Sequence, residues 1–213
     1  MVYEYLRKNY KNGEPIFLSD IKIPGISNEN LRYYMKQLTD SGKIQRFESG
    51  IYYFPKIDLL GDTIPLLPDN IVMSKYIFRN GKRIGYYSGN SLINKLGLST
   101  QVPFVKEITS NRAPAPVRKI AIGRQRYVLR KPVVEITEEN VAALQLLDCL
   151  MSVDKCAEVS LKDCGQILSD YSSQFEITKE LVDELAEYYP QKIYKKLYEM
   201  EMTYVSTRTT RRL

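Results

Sequence analysis

The sequence predicts an α+β protein: an N-terminal winged helix-turn-helix followed by a mixed α+β domain that ends in a helical C-terminal region. Three observations lead there. An amphipathic helical run beginning at Ser27 passes straight into a hairpin signal, the stretch Pro55 to Pro68 interrupts both periodicities, and from Thr137 the apolar spacing becomes helical throughout. The domains are drawn at 1–57 and 58–213, the second split into a basic part at 58–136 and an acidic helical part at 137–213.

In chain order, Val2, Tyr5, Leu6 and Tyr10 make a short helical stripe that Lys11, Asn12 and Gly13 end. Ile16 and Phe17 read as a one-step strand for pairing with the wing. Ser19 and Asp20 read as caps of a very short helix closed by Pro24 and Gly25. Leu31, Met35 and Leu38, at i, i+4 and i+7 with Tyr34 beside them, then form the docking stripe of the main helix. Ser27 can accept its first-turn N–H groups, Glu29 suits the positive helix end, and Gly42 can take the left-handed conformation that stops it. Lys43 to Phe47 and Ile51 to Phe54 are strand-like runs joined by Glu48, Ser49 and Gly50. If such a helix enters a major groove, Asn28, Asn30, Arg32, Tyr33 and Lys36 face the DNA, while Arg46 and Ser49 on the wing and Arg7 or Lys8 beside it reach phosphates.

Beyond the proline stretch, Ile71 to Arg79 and Arg83 to Tyr87 read as strands about an Asn80-Gly81 turn. Ser88 or Asn90 is the expected cap of a helix through Leu92, Ile93 and Leu96, closed by Gly97. Phe104 to Thr109 reads as a strand, and Val117 to Ile122 with Tyr127 to Leu129 as a hairpin about Gly123. Gly81, Gly85 and Gly89 read as turn glycines, since their spacing makes no dinucleotide loop. Four helices should follow: Thr137 capping Val141 to Met151, then Leu161 with Ile167 and Leu168, Leu181 with Leu185 and Tyr188, and, past Pro190, Ile193 with Leu197 and Met200. The last residues, 206–213, read as a frayed basic tail.

Composition removes much chemistry. The chain contains no histidine, which excludes the Ser-His-Asp triad, HExxH zinc motifs and histidine general bases. Cys149, Cys156 and Cys164 are odd in number and lack CxxC spacing, so they read as ordinary reduced residues. No catalytic residue, metal or cofactor is expected. No run reaches the apolar length of a membrane span and no signal peptide opens the chain, so a cytoplasmic protein with no membrane partner is expected.

Net charge is +6, distributed as +3 over residues 1–57, +8 over 58–136 and −5 over 137–213. Arg112, Arg118, Lys119, Arg124, Arg126, Arg130 and Lys131 crowd seven cations into twenty residues with no acid among them. A basic strand face of this kind suits phosphates or an acidic protein.

A resemblance joins these pieces. Gly85-Tyr86-Tyr87-Ser88-Gly89, a helix, Gly97-Leu98-Ser99-Thr100-Gln101-Val102-Pro103 and a strand ending Thr109-Ser110-Asn111 resemble the antitoxin of AbiE abortive-infection (type IV toxin–antitoxin) systems. The wing, with Gly42-Lys43-Ile44 and Gly50-Ile51-Tyr52-Tyr53, fits the same family. The resemblance implies an N-terminal winged helix that represses its own operon; because one such module covers only a few base pairs, two copies on an inverted repeat in double-stranded operator DNA are expected. It also implies a second domain that counteracts a cognate nucleotidyltransferase-like toxin. A nucleic-acid-processing enzyme and a winged helix used only for protein contacts are the alternatives.

Overall fold

The computed structural model describes residues 1–200, which hold eight α-helices and four small β-sheets in an α+β arrangement. Two compact units divide the chain, Met1–Ser74 and Lys75 onward, so residues 58–74 group with the first. The basic tail expected at 206–213 lies outside the described residues.

Unit 1 opens with α1 (Val2–Asn9), which buries Val2 and Leu6. Strand β1 (Ile16–Phe17) follows and pairs antiparallel with the segment Ile51–Tyr53, Ile16 opposite Tyr52 and Phe17 opposite Ile51. The short helix expected after Ser19 is a single 3-10 turn, Leu18–Asp20, with neither Ser19 nor Asp20 at its N-cap. The main helix α2 (Asn28–Asp40) begins where Ser27 Oγ accepts the Asn30 N–H at 3.2 Å. It buries Leu31 and Met35 against Val2, Leu6, Ile16, Ile44 and Phe54. Tyr34 turns out of that stripe, 41 % exposed beside a groove it lines with Tyr3 and Lys43.

β2 (Gln45–Glu48) and β3 (Ile51–Tyr53) complete a three-stranded sheet of order β1-β3-β2. Their turn places Gly50 at φ +77, the left-handed region that glycine enters without steric cost. β2 starts two residues later than expected because Lys43 and Ile44 donate back to the Leu38 carbonyl, extending the helix end, whereas β3 starts at Ile51 as expected. A two-residue hairpin, β4 (Lys56–Ile57) with β5 (Thr63–Ile64), precedes α3 (Pro68–Val72).

Ile71 to Ile77 was expected as strand but is helical, α3 running into a π-helical turn at Met73–Ile77. Pro68 at the first helical turn favours the start, and the buried pairs Ile71/Tyr76 and Val72/Ile77 stand five apart, the π repeat. A short apolar run satisfies either period. Only β6 (Phe78–Arg79) and β7 (Lys82–Arg83) remain as a hairpin about Asn80-Gly81.

Unit 2 is built on a four-stranded sheet of order β10-β11-β9-β8. Its strands are β8 (Gly85–Ser88), β9 (Val105–Ser110), β10 (Val117–Ile122) and β11 (Gln125–Arg130). β9 runs parallel to β11 and the other pairs are antiparallel. Helix α4 (Gly89–Lys95) joins β8 to β9 and ends at Gly97; Ser88 occupies its N-cap position without a side-chain cap bond.

Gly85 is not a turn glycine. A Cβ there would sit 2.1 Å from the Tyr76 carbonyl and 2.7 Å from that of Thr109, so its bare backbone is what lets the strands close.

The C-terminal helices are α5 (Val141–Cys156), α6 (Leu161–Gln174), α7 (Lys179–Ala186) and α8 (Lys192–Glu199). Helix α5 starts after Asn140 rather than at Thr137, whose N–H instead donates to Asn140 Oδ1. It is the axis of the unit 2 core, burying Leu144, Leu147 and Leu150 among residues of α4, α6, α7 and α8. Ser160 and Thr178 cap α6 and α7. Leu161 and Tyr188, expected in the stripes, are exposed, and Cys164, Val182 and Ala186 take their places.

Candidate nucleic-acid interface

Helix geometry decides which residues of α2 share a surface. Asn28, Arg32 and Lys36 follow one another at i+4 and are exposed, so they form one polar row along the helix. Tyr33, 60 % exposed, lies in the adjacent row with Gln37, whose Nε2 donates to the Tyr33 hydroxyl at 2.9 Å. Asn30 is exposed nearer the helix start, its backbone held by Ser27. Glu29 and Asp40 lie on the same outward side and limit how much of the helix can approach phosphates.

The β2–β3 hairpin contributes Arg46 and Ser49, both exposed, at an irregularity in its pairing between Arg46 and Glu48. Arg46 Nε leans on the Glu48 carbonyl at 3.4 Å. Arg7 is already committed: its guanidinium donates to Tyr3 Oη at 3.0 Å and Asn12 Oδ1 at 2.7 Å, and lies 4.0 Å above the Phe54 ring. Lys8 is exposed, and Lys43, which sequence reasoning passed over, is exposed 5.2 Å from the Tyr3 ring. Its signal was available, since a cation beside the helix-ending glycine lies at the root of the β2–β3 hairpin.

The second basic cluster does not stay together. Cross-strand register puts Lys119, Arg126 and Arg130 on one face of the sheet and Arg118 on the other, with the buried Leu129 opposite Arg118. Arg124 sits in the β10–β11 turn, and Arg112 and Lys131 lie beyond the strand ends. Arg130 is neutralised, donating from Nε at 2.9 Å and Nη2 at 2.8 Å to Glu107 Oε2. Glu107 has room for this because Gly89 has no Cβ; one would meet its Oε1 at 2.3 Å.

A buried polar cluster was invisible in the sequence. Asp148 on α5 accepts the Tyr86 hydroxyl at Oδ2 and the Tyr189 hydroxyl at Oδ1, each at 2.8 Å. Burial pushes the Asp148 carboxyl above its ordinary range against the pull of those two hydrogen bonds, and burial beside Asp148 pushes both phenols well up. The cluster pins β8 and the chain before Pro190 to α5. Cys149, Cys156 and Cys164 are unpaired thiols, and burial raises all three, which disfavours the reactive thiolate. Among the described residues no group of three or more His, Cys, Asp or Glu could hold a metal ion, and no helix is long and apolar enough to cross a membrane.

The motif segments have structural work to do. Glu158 holds the loop after α4, accepting from Thr100 N at 2.7 Å, Thr100 Oγ1 at 2.9 Å and Gln101 Nε2 at 2.8 Å. Asn111 pairs with the backbone of Ile136 in both directions, each bond 2.9 Å, and Ser110 Oγ donates to the Tyr76 carbonyl at 2.6 Å. Residues 2–170 match the model of a family of unknown function, DUF6088. The chain belongs to that family. The DUF6088 match takes in unit 1 and unit 2 as far as α6, so α7 and α8 lie past it. No curated protein matches the chain.

Proposed function

We propose that unit 1 is a winged helix-turn-helix, that it binds operator DNA as a transcriptional autorepressor, and that unit 2 is the antitoxin part of a type IV toxin–antitoxin pair. The toxin it counteracts would be a nucleotidyltransferase-like protein, and the chain itself would not be an enzyme. The observation that carries the DNA reading is the exposed row Asn28, Arg32 and Lys36 on α2, followed directly by a hairpin whose Arg46 and Ser49 are also exposed. In this reading Leu31 and Met35 hold the helix against the three-stranded sheet, Arg32 reads a base edge, and Lys36, Arg46 and Lys8 bind phosphates.

The antitoxin reading rests on the order of the motif segments from Gly85 to Asn111 and on the unpaired cations of the β10–β11 hairpin. One such module covers few base pairs, so two copies on an inverted repeat complete the site.

The test uses the full chain. Fluorescence anisotropy on the chain's own promoter should show Arg32→Ala losing roughly 1 to 3 kcal/mol of discrimination between operator and scrambled DNA. Arg7→Ala, whose guanidinium is occupied, should act through stability instead. Growth rescue from the adjacent reading frame's product, beside a promoter reporter, tests the antitoxin half. A wild-type chain that neither binds its promoter at low salt nor rescues growth would remove the reading altogether.

A further inference from the structure

The end of the unit 2 sheet carries exposed apolar side chains on an unusually well-fixed backbone. Val102 is 79 % exposed, Phe104 76 % and Val105 37 %. The loop that bears them is held by three hydrogen bonds to Glu158, by Gln101 N donating to Ser99 Oγ at 3.1 Å, and by Gln125 Nε2 donating to the Phe104 carbonyl at 2.7 Å. Single exposed apolar residues are ordinary, but three adjoining ones on a braced loop stand ready to bury without ordering a flexible segment first.

Val102 and Phe104 share a hollow with Lys155 and Glu158, and the sheet face beside Val105 is positive. Register sets Arg126 beside Val105 on one face of the sheet, with Lys119 further along the same face, and Arg124 lies in the turn next to Gln125. Among the described residues these three cations have no ion pair. The acid on that face, Glu107, is already bound by Arg130.

We propose that Val102, Phe104 and Val105, flanked on the sheet side by Lys119, Arg124 and Arg126, are a docking surface for a protein with an apolar hollow bordered by carboxylates. Charge complementarity selects the acidic border, and an aromatic prong flanked by arginines matches the composition of interface centres. A nucleic-acid strand would answer the cations and could stack on Phe104, but it offers nothing to the two valines, and base-binding platforms set several aromatic rings in line where this face has one. The surface deepens the antitoxin reading and rests on it for its biological readout alone.

The experiment is a pair of titrations on the isotopically labelled full chain, followed by amide shifts. One probe is a twelve-residue peptide of glutamates with two leucines, the other a U12 RNA. The peptide should shift amides of residues 102, 104–106 and 123–127 in a saturable way. Val102→Ser with Phe104→Ser, and Arg124→Glu with Arg126→Glu, should each weaken it at least tenfold while melting at the wild-type temperature. Shifts elsewhere, no shifts, or an RNA that saturates the same amides and depends on Phe104 would overturn the proposal. Growth rescue with the same variants separates the two readings: a wild-type chain that fails to rescue sinks the antitoxin role and leaves the peptide result standing. Rescue that survives both double substitutions sinks this surface as the working one.

Discussion

Helix α2 and the β10–β11 hairpin use cations in opposite ways. On α2 the i+4 repeat gathers Asn28, Arg32 and Lys36 into one exposed row, whereas the two-residue alternation of the hairpin deals Arg118 and Lys119 to opposite faces and leaves Arg130 paired with Glu107. The hairpin is the denser in charge, with Arg118, Lys119, Arg124, Arg126 and Arg130 against Arg32 and Lys36 on α2, yet its set is divided while the sparser one lies in a continuous row. Period, more than count, decides whether basic residues can act together.

The sharpest way to test that the units are built on different principles is at their glycines. Gly85 in β8 is a close-approach position, and Gly85→Ala should cost unit 2 about 3 kcal/mol or more, because backbone carbonyls cannot move aside as a side chain can. Gly50 in the β2–β3 turn has open space and only its positive φ to defend, so Gly50→Ala should cost about 1 to 2 kcal/mol. Urea unfolding of the two variants would compare them. Equal losses would mean the Gly85 backbone relaxes and the closure described for β8 is not tight.

The next effect belongs to the cluster around Asp148. Tyr189→Phe removes a donor to a buried carboxylate and should cost about 1.5 to 3 kcal/mol at neutral pH. The pH dependence has a definite sign. Both phenols are raised in the folded chain, so their contribution is intact below pH 10 and is lost as pH climbs above it, when the unfolded chain releases its tyrosine protons first. Asp148 is raised too, so its share is largest in acid and declines from about pH 3.8 upward. Denaturation series between pH 4 and 11 should show Asp148→Asn flattening the acid side and Tyr189→Phe the alkaline side. Unchanged slopes would detach these groups from stability.

Much of this was legible before any coordinates. Ser27, Leu31, Met35 and Gly42 announced α2 because each obeys a local rule, and Ile16–Phe17 pairs with the hairpin strand β3 as expected. Ile71 to Ile77 was misread because a short apolar run fits strand and helix alike, and only tertiary burial chose the π turn. Asp148 gave no signal: one acid among the leucines of α5 looks like a solvated face until Tyr86 and Tyr189, 62 and 41 residues away in sequence, are brought to it. The candidate DNA row follows from helical spacing, whereas the apolar prong at Phe104 depends on which loop atoms Glu158 and Gln125 hold.

On the DNA side the expected changes are smaller and are read in salt. If Lys36 contacts a phosphate, Lys36→Ala should weaken binding about equally on all sequences and lower the slope of log affinity against log salt by about 1. Arg32→Ala should change the preference for operator more than the slope. The reverse pattern would exchange their roles along the row.

The smallest expected effect lies within the hairpin itself. Arg130 and Arg126 stand on the same strand face, four residues apart, yet one is spoken for and the other is not. The Arg130 side chain is 46 % exposed and that of Glu107 20 %, so their ion pair is screened by water and worth about 0.2 to 1 kcal/mol. Arg130→Met should therefore lower stability by less than about 1 kcal/mol and leave growth rescue intact. Arg126→Met should leave stability unchanged within about 0.5 kcal/mol, as surface changes usually do, and impair rescue. Urea midpoints and rescue at matched protein levels give both readings from the same two variants. If Arg130→Met impaired rescue while Arg126→Met did not, the paired arginine would be the working one, and availability of charge would not be what separates the residues of this hairpin.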